Sequence, residues 1–484
     1  MVCQRLYHEM APYFVGPISP KLFLDSFLPA EVGHYSDIFK SGSCLSDLKG
    51  ASDESTLQAI FVCPNSHHSV LLETDPFQFQ IVSKGLSSED ESGLDLVDTS
   101  HQKDQVNPSK FPFTCQPDCS VYATKSAHKN QLDSSLVEFL IEFKTTSDFD
   151  PFVRPVPSES NTVNDAESAH SGRLDSTLVG SPTEFKMTSG FEPFARSKSN
   201  TVNTVQNPFM RSSTAGRKVA GQITAYATWI LSAQYRTHLF LILILKEYSR
   251  IIRWDRGGAV VTAPIFHREG HVLDFLIRFK YANRQARGHD ITVEPANEDD
   301  KLEARQLEEL ADATSLLCIS IPDDSSQSCE PSRYIIESPC SRPDVPAGRW
   351  TRTSIAYDIQ RKRRVLLKDS WRVLLDDISP EGDIYSKLHS HSVPNIPYCS
   401  RAGNIGNDLY HASRTHEFNG NPTPSSPYSH YHSSLLVPHR HYRLVLDTIG
   451  RRLETFNRSW ELVNAVYDAL LGEFTVCYPF GSVA

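Results

Sequence analysis

The sequence has no hydrophobic run long enough to cross a membrane. Its most apolar stretch, residues 238–245 (HLFLILIL), is far shorter than the ~20 residues that a membrane-spanning helix needs. The N-terminal residues, MVCQRLYHEMAPYFVG, also lack the basic and then apolar pattern of a secretory signal. We therefore expect neither a membrane segment nor a membrane partner.

Paired cysteines and an excess of positive charge are missing as well. The ten cysteines include no C-x-x-C pair, and Cys115 and Cys119 are the closest two. This spacing favours free thiols in an intracellular compartment over disulfides or a zinc site, and it does not separate cytoplasm from nucleus. The formal net charge of −10 gives no global argument for nucleic-acid binding, so any basic surface has to be local.

A chain of 484 residues predicts two or more domains, and residues 217–262 carry its clearest secondary-structure pattern. A helix that opens at Gly221 would place its apolar residues on one face together with Gln222 and Tyr226. Residues 238–245 predict a buried strand, and residues 250–262 predict a hairpin around two glycines.

A second pattern combines an aspartate with a Glu-x-Lys strand. Asp118 precedes a short predicted strand at 120–124, and residues 137–144 (VEFLIEFK) predict a longer strand. Because side chains alternate along a strand, Glu142 and Lys144 share one face. The two carboxylates suit Mg²⁺, and a lysine beside them can orient or deprotonate an attacking water.

This combination resembles the PD-(D/E)xK nuclease superfamily, one branch of which carries a Gln-x-x-x-Tyr pair on a following helix. Gln222 and Tyr226 have that spacing. The resemblance implies a nucleic-acid substrate, Mg²⁺ held by Asp118 and Glu142, and Lys144 as the catalytic residue. Two alternatives remain: a strand whose Glu and Lys are merely solvated, and the nuclease-like fold without activity.

One segment of the chain is repeated. Residues 132–155 recur in altered form at residues 174–197, and a single repeat is too little for a solenoid. The second copy has glycine and proline where the first has an apolar run, and both residues disfavour a central strand. We therefore assign the strand to the first copy and predict that residues 150–215 are an inserted, mostly disordered loop. The other register, with Glu184 and Lys186 as the site, lacks the apolar strand.

Strand patterns dominate again from residue 333 onward, after a predicted linker at 296–332. Lys368 lies on a predicted strand that follows a turn with Gly348. Glu381 begins a predicted helix, because Ser-Pro directly before it suits a helix start. A strand lysine preceded by a glycine-containing hairpin is typical of the small lobe of a protein kinase.

The order of the motifs resembles the fungal-type protein kinase family of mushroom-forming fungi. The motifs are GQITAYA, FLILIL, IIRWDRGGAVVT and RFKYANRQARGHD, followed by LLKDSWR, EGDIYSKL, VPNIP, HYRLVLDTIG and ELVNAVYDALL. The resemblance implies ATP and Mg²⁺ as cofactors. It also implies that Lys368 contacts the nucleotide phosphates, that Glu381 pairs with Lys368, that Gly348 lies in the loop over the phosphates, and that residues 447–450 form the hinge.

The C-terminal region departs from that family. The family pattern continues into an HRD catalytic loop and a metal-binding aspartate, whereas residues 472–484 read GEFTVCYPFGSVA. The glycine loop is also poor, since GRWTR contains a single glycine. We therefore predict a truncated family member that is inactive as a kinase, with an apolar lobe surface that suits a protein partner.

Histidines concentrate in the same C-terminal half, at positions 411, 416, 430, 432, 439 and 441. No cysteine or carboxylate lies near them in the sequence at a spacing that completes a metal site. We therefore predict loop histidines without a metal.

The predicted fold class is α+β: a PD-(D/E)xK nuclease-like α/β sheet domain, then a kinase-like small lobe of antiparallel strands and a helix, with no large lobe. The predicted segments are 1–149 and 216–295 for the nuclease-like domain, 150–215 for the low-complexity insert, 296–332 for the linker, 333–471 for the small lobe and 472–484 for a divergent tail. Three functions compete: an inactive kinase relative, a Mg²⁺-dependent nuclease, and a protein-binding pseudokinase fragment.

Overall fold

The computed structural model describes the chain in twelve segments. They are residues 2–29, 52–56, 94–100, 102, 115–123, 132–153, 207–321, 331–338, 345–406, 408–420, 433–451 and 453–477. Glu184 and Lys186, the residues of the alternative register, lie outside the described residues, as does the whole second copy of the repeat.

The described residues form seven α-helices and fifteen strands. The helices are α1 (Val2–Met10), α2 (Pro20–Phe27), α3 (Thr214–Ala233), α4 (His271–Tyr281), α5 (Glu298–Ala304), α6 (Glu381–Ser390) and α7 (Ser459–Cys477). The strands are β1 (Phe14–Ile18), β2 (Leu94–Asp98), β3 (Cys119–Ala123), β4 (Val137–Lys144), β5 (Leu239–Leu245), β6 (Tyr248–Asp255), β7 (Gly258–Thr262), β8 (Ile265–Phe266), β9 (Val293–Pro295), β10 (Leu316–Ile321), β11 (Ser332–Glu337), β12 (Arg352–Asp358), β13 (Arg363–Val373), β14 (Cys399–Asn404) and β15 (His439–Leu446). The mixture confirms the predicted α+β class.

The first sheet has the strand order β1-β7-β6-β5-β4-β3-β2, with β8 paired to β6. Its neighbours are antiparallel except for β1 with β7 and β4 with β5, which run parallel. Apolar layers cover both faces of this sheet: α1 and α3 contribute to one core, and α2 and α4 contribute to the other. Strands β4 and β5 are consequently buried along their whole length, which is why they read as apolar runs in the sequence.

Helix α3 packs closely against α1. It begins at Thr214, where the Ser213 hydroxyl accepts a hydrogen bond from the amide of Gly216. The predicted helix start at Gly221 is therefore wrong. Gly221 instead faces α1, because a Cβ atom at this position would collide with the backbone of Cys3.

The predicted insert is narrower than residues 150–215. The rings of Phe152 and Phe209 stack in the first core with their centroids 5.0 Å apart. The amide of Val153 donates to the carbonyl of Phe209 at 2.8 Å, and the amide of Arg211 donates to the carbonyl of Pro151 at 2.8 Å. Both edges of the predicted insert therefore belong to the folded domain, and the chain leaves and returns at one place.

The second sheet has the order β14-β15-β13-β12-β11-β10-β9, with all neighbours antiparallel. The predicted linker at 296–332 contains a helix, α5, as its acidic pattern indicates, but it also contains β10, which pairs with β11 along six residues and so belongs to the sheet. Helix α5 buries only Ala304. The many charged residues of α5 left no apolar pattern around it from which strands β9 and β10 could be predicted.

Buried aromatic packing and hydrogen bonds join the two sheets. Arg256 lies in the turn between β6 and β7, and its guanidinium carbon lies 4.0 Å from the centroid of the Trp350 ring. Arg352, at the start of β12, donates to the carbonyl of Leu231 at 2.6 Å and to that of Gln234 at 3.0 Å. Trp350 and Arg352, which lead into β12 of the second sheet, are therefore bound to the first sheet and to the end of α3.

Helix α7 follows the second sheet and is largely exposed. It continues to Cys477, six residues into the segment predicted as a divergent tail, so that boundary is wrong. Among the described residues, no helix combines the length and the hydrophobicity that crossing a membrane requires. None of the cysteines described with their side chains forms a disulfide; these are Cys3, Cys115, Cys119, Cys318 and Cys399.

Candidate functional site

The predicted nuclease-like residues meet at the end of β4. Asp118, directly before β3, accepts a hydrogen bond from the amide of Phe143 at 2.8 Å through Oδ2. Lys144 Nζ donates to Glu142 Oε1 at 2.7 Å, so these two side chains lie on the same side of the strand. The antiparallel pairing of β3 and β4 brings the aspartate to the Glu-x-Lys segment.

Helix α3 contributes Gln222 and Tyr226 to the same group. Gln222 Nε2 donates to Glu142 Oε1 at 2.7 Å and to the Tyr226 hydroxyl at 2.8 Å. The Tyr226 hydroxyl in turn donates to the carbonyl of Gln116 at 2.8 Å. The i, i+4 spacing on the helix thus aims both side chains at one carboxylate.

The Glu142 carboxylate is buried and only half satisfied. Among the described residues, no donor makes a hydrogen bond of full geometry to its Oε2 atom. The backbone amide of Asp118 is near enough to lower the pKa of this carboxylate, but this effect is the smallest of those acting on it. Burial raises the pKa of Glu142 to about 7 against the opposing charge of Lys144, and the negative charge of Asp118 adds to the rise. A hard cation bound at Oε2 would satisfy this oxygen, so the residues present fit Mg²⁺.

Glu54 is a member of this group that sequence reasoning missed. Its Oε1 atom lies 3.5 Å from Lys144 Nζ, and its side chain is 45% exposed. The residue belongs to the short described segment 52–56, which has no periodic pattern to distinguish it. The cluster therefore contains three carboxylates around one lysine.

The predicted Lys368–Glu381 ion pair is formed on the second sheet. Lys368 lies in the middle of β13, and its Nζ donates to both carboxylate oxygens of Glu381, at 2.7 and 2.6 Å. The two side chains are 22% and 26% exposed, so a ligand in solvent can reach them. In protein kinases a strand lysine pairs in this way with a glutamate of the next helix and binds the nucleotide phosphates.

Glycine at position 382 allows this pair to form. A Cβ atom on Gly382 would collide with the Cβ of Ala402 and the hydroxyl of Tyr442. The amide of Gly382 also donates to the Tyr442 hydroxyl at 2.9 Å. Helix α6 can therefore lie directly on β14 and β15, which brings Glu381 within reach of Lys368.

Gly348 is hydrogen-bonded to the turn between β6 and β7 of the first sheet. Its amide donates to the carbonyl of Arg256 at 2.8 Å, and its φ of 103° is one that glycine adopts easily. The next residue, Arg349, accepts a hydrogen bond from the amide of Trp371, three residues along β13 from Lys368. The role of Gly348 over the phosphates stays a prediction, as does the hinge role of residues 447–450.

His439 and His441 share β15, as their spacing on a predicted strand indicates, but the prediction that no carboxylate completes a set with the histidines missed the one beside His411 and His441. His411 ends a 3-10 helix (Leu409–His411) and His441 lies in β15, and both are buried. Asp290 lies beside them. Sequence spacing could not show this, because Asp290 is distant from both along the chain. His430 and His432 lie outside the described residues.

Comparison with known proteins places the chain in a family. A family model described as "Fungal protein kinase" matches residues 195–476, which is more than half of the sequence and spans parts of both sheets. The chain therefore belongs to the fungal protein kinase family, as the order of its motifs predicted. No curated protein and no solved structure matches the chain.

Proposed function

We propose that the second sheet binds a nucleoside triphosphate as the small lobe of a kinase-like protein. The observation that carries this proposal is the ion pair between Lys368 and Glu381. Glu381 holds the ammonium group above the sheet, where it can contact phosphate oxygens. Mg²⁺ is expected to accompany the nucleotide and to neutralise part of the phosphate charge.

We further propose that the printed 484 residues do not transfer a phosphoryl group by themselves. The sequence contains no HRD or DFG triplet. In kinases these motifs supply the base and a metal ligand, and the transfer depends on them for positioning and charge neutralisation. Lys368 can bind phosphate but cannot replace either group.

Nucleotide binding by Lys368→Ala tests the proposal. We expect the wild type to bind Mg-ATP weakly, with a Kd in the millimolar range (about −4 kcal/mol), and Lys368→Ala to lose measurable binding in equilibrium dialysis. Lys387→Ala is the matched control, because it removes the same charge from an exposed position on α6. Unchanged binding by Lys368→Ala would refute the nucleotide site. ATP turnover that disappears in Lys368→Ala would refute the absence of transfer.

A second candidate function is metal-dependent phosphodiester hydrolysis on the first sheet. The observation that favours it is the buried Oε2 of Glu142, which lacks a full hydrogen bond beside a second carboxylate. Asp118 and Glu142 would hold Mg²⁺, Gln222 orients Glu142, and Lys144 is placed to position a water molecule. The bound ion would stabilise negative charge on the phosphate. Nucleic acid is the partner under this proposal only.

Cleavage assays separate this candidate from an inactive fold. If the site is active, purified protein cuts DNA or RNA in Mg²⁺, and Glu142→Gln abolishes cutting because it weakens the metal ligand. Glu308→Gln makes the same chemical change at an exposed position between α5 and β10 and should leave cutting intact. Equal cutting by the wild type and Glu142→Gln would assign the activity to another site or to a contaminant.

A third candidate function, protein binding, is favoured by the exposed surface of α7. Trp460, Val463 and Tyr467 fall on one face of that helix and are 58%, 64% and 59% exposed. We propose that a protein partner covers this face. Light scattering measures the association of the purified chain and tests this proposal. If the apolar face drives association or aggregation, Val463→Glu should reduce it. Identical behaviour of the wild type and the variant would argue against it.

A further inference from the structure

Three side chains from distant parts of the sequence meet between the two sheets. Asp290 precedes β9, His411 ends the 3-10 helix after β14, and His441 lies in β15. The Nδ1 atoms of the two histidines are 3.0 Å apart. Asp290 Oδ2 lies 3.9 Å from His441 Nδ1, and Asp290 Oδ1 lies 3.9 Å from His411 Nε2. One ligand atom from each of the three residues fits within 4.8 Å of the others.

Neighbouring residues fix the orientation of two members of this group. Asp369 accepts a hydrogen bond from His441 Nε2 at 3.0 Å, which leaves the Nδ1 lone pair of that ring facing His411. A carboxylate behind the outer nitrogen is the usual support of a metal-bound histidine. Asp290 is held in turn by Arg443 Nη2 at 2.6 Å and by the hydroxyl of Thr292.

The charges of this buried group do not balance. Asp290 and Asp369 each carry a negative charge, and Arg443 supplies one positive charge to both. With both imidazoles neutral, the group has a net charge of −1 in a region where these side chains are at most 5% exposed. An unbalanced buried charge is unfavourable. A proton shared by the rings would bring the group to a net charge of 0, and a divalent metal ion would bring it to +1, with the buried Arg256 also close to Asp369.

We propose that Asp290, His411 and His441 bind a zinc ion that ties the two sheets together. Two imidazoles and a carboxylate are a ligand set that zinc accepts. Zinc–nitrogen bonds of about 2.0–2.1 Å place two ligand nitrogens about 3.3 Å apart, so the rings need to separate by only a few tenths of an ångström. The group is too deeply buried for a substrate to reach it, so the role is structural. Zinc would hold segments that are far apart in the chain.

Metal content and cobalt spectroscopy test this proposal. The full chain is expressed with zinc, dialysed against buffer and analysed by mass spectrometry for metal per chain. We expect one zinc per chain and, after exchange with Co²⁺, visible absorption bands of the bound ion. His411→Gln should lose the metal and its bands, whereas His8→Gln, at an exposed position on α1, should keep both.

X-ray absorption on the zinc-loaded wild type keeps the test valid if His411→Gln does not fold. The spectrum should show two imidazole ligands and one carboxylate at the metal. Absence of bound metal in the wild type, or retention of metal by a folded His411→Gln variant, would overturn the proposal. In that case a proton supplies the missing charge and the group is a hydrogen-bonded ion cluster.

Discussion

Replacing Glu142 by glutamine should remove a loss of stability that the wild type undergoes as the pH rises. Glu142 is buried, and its pKa is raised from 4.5 to about 7. Above pH 7 the native state therefore contains a charged carboxylate with one oxygen lacking a full hydrogen bond. Glutamine has the same shape, still accepts the hydrogen bonds from Lys144 and Gln222 through its oxygen, and carries no charge.

The pKa difference sets the size and the sign of this effect. Between pH 4.5 and about 7 the native state retains the proton of Glu142 while the unfolded chain releases it. The free energy of unfolding of the wild type therefore falls as the pH rises through this window and stays low above it. A shift of this size corresponds to about 3 kcal/mol. We expect Glu142→Gln to gain about 2 kcal/mol over the wild type on going from pH 5 to pH 8.

Urea unfolding at pH 5 and pH 8, with a chelator present to exclude metal, measures this gain. Glu308→Gln is the control, because it makes the same substitution at an exposed position between α5 and β10, away from the Glu142 cluster. A stability difference between Glu142→Gln and the wild type that is the same at both pH values would refute the reasoning. The same variant should lose Mg²⁺ binding, so function and stability would oppose each other at this residue.

Three further substitutions test the packing and the electrostatics. Gly221→Ala should destabilise the protein by more than 2 kcal/mol, because its Cβ collides with the backbone of Cys3 and α1 has to move; a thermal melt equal to that of the wild type would contradict the helix contact. Phe139→Ala should lose about 3–5 kcal/mol in urea unfolding, since Phe139 is fully buried in the second core of the first sheet, and a loss below 1 kcal/mol would show that this core is loosely packed. Burial raises the pKa of Glu138, but the hydrogen bond from His289 and the nearby arginines outweigh burial and lower this pKa to about 2. The wild type should therefore lose stability as the pH falls from 4.5 towards 2. Glu138→Gln should lose less stability over the same range, because it has no carboxylate to protonate. Parallel acid titrations of the wild type and Glu138→Gln would argue against this ion pair network.

Local patterns in the sequence predicted the five strands β3 to β7 of the first sheet and part of its site, but not β1, β2 or β8. The apolar run at 137–144 coincides with β4, and the alternation along it puts Glu142 and Lys144 on one side. The spacing of Gln222 and Tyr226 likewise places both on one face of α3. These inferences succeed because strand and helix periodicity are properties of a few neighbouring residues.

Features that depend on long-range register could not be predicted in this way. Asp290, His411 and His441 meet only because β15 lies between β14 and β13 in the second sheet and the chain before β9 packs against it. Strands β9 and β10 were missed because they are short and flank the charged helix α5. The pairing of β9 and β10 and the position of Asp290 beside the histidines depend on residues far apart in the sequence. No short segment of sequence predicts them.

The contacts around Phe152 and Phe209 give the chain a place where it can gain length. The hydrogen bond between residues 153 and 209 and the stacked rings of Phe152 and Phe209 hold the two ends of the intervening segment together. The entropy of closing such a segment rises by only ~0.6 kcal/mol each time its length doubles. The second copy of the repeat, residues 174–197, lies within this segment. A duplication there lengthens the chain between two ends that are already joined, so its expected cost in closure entropy is small.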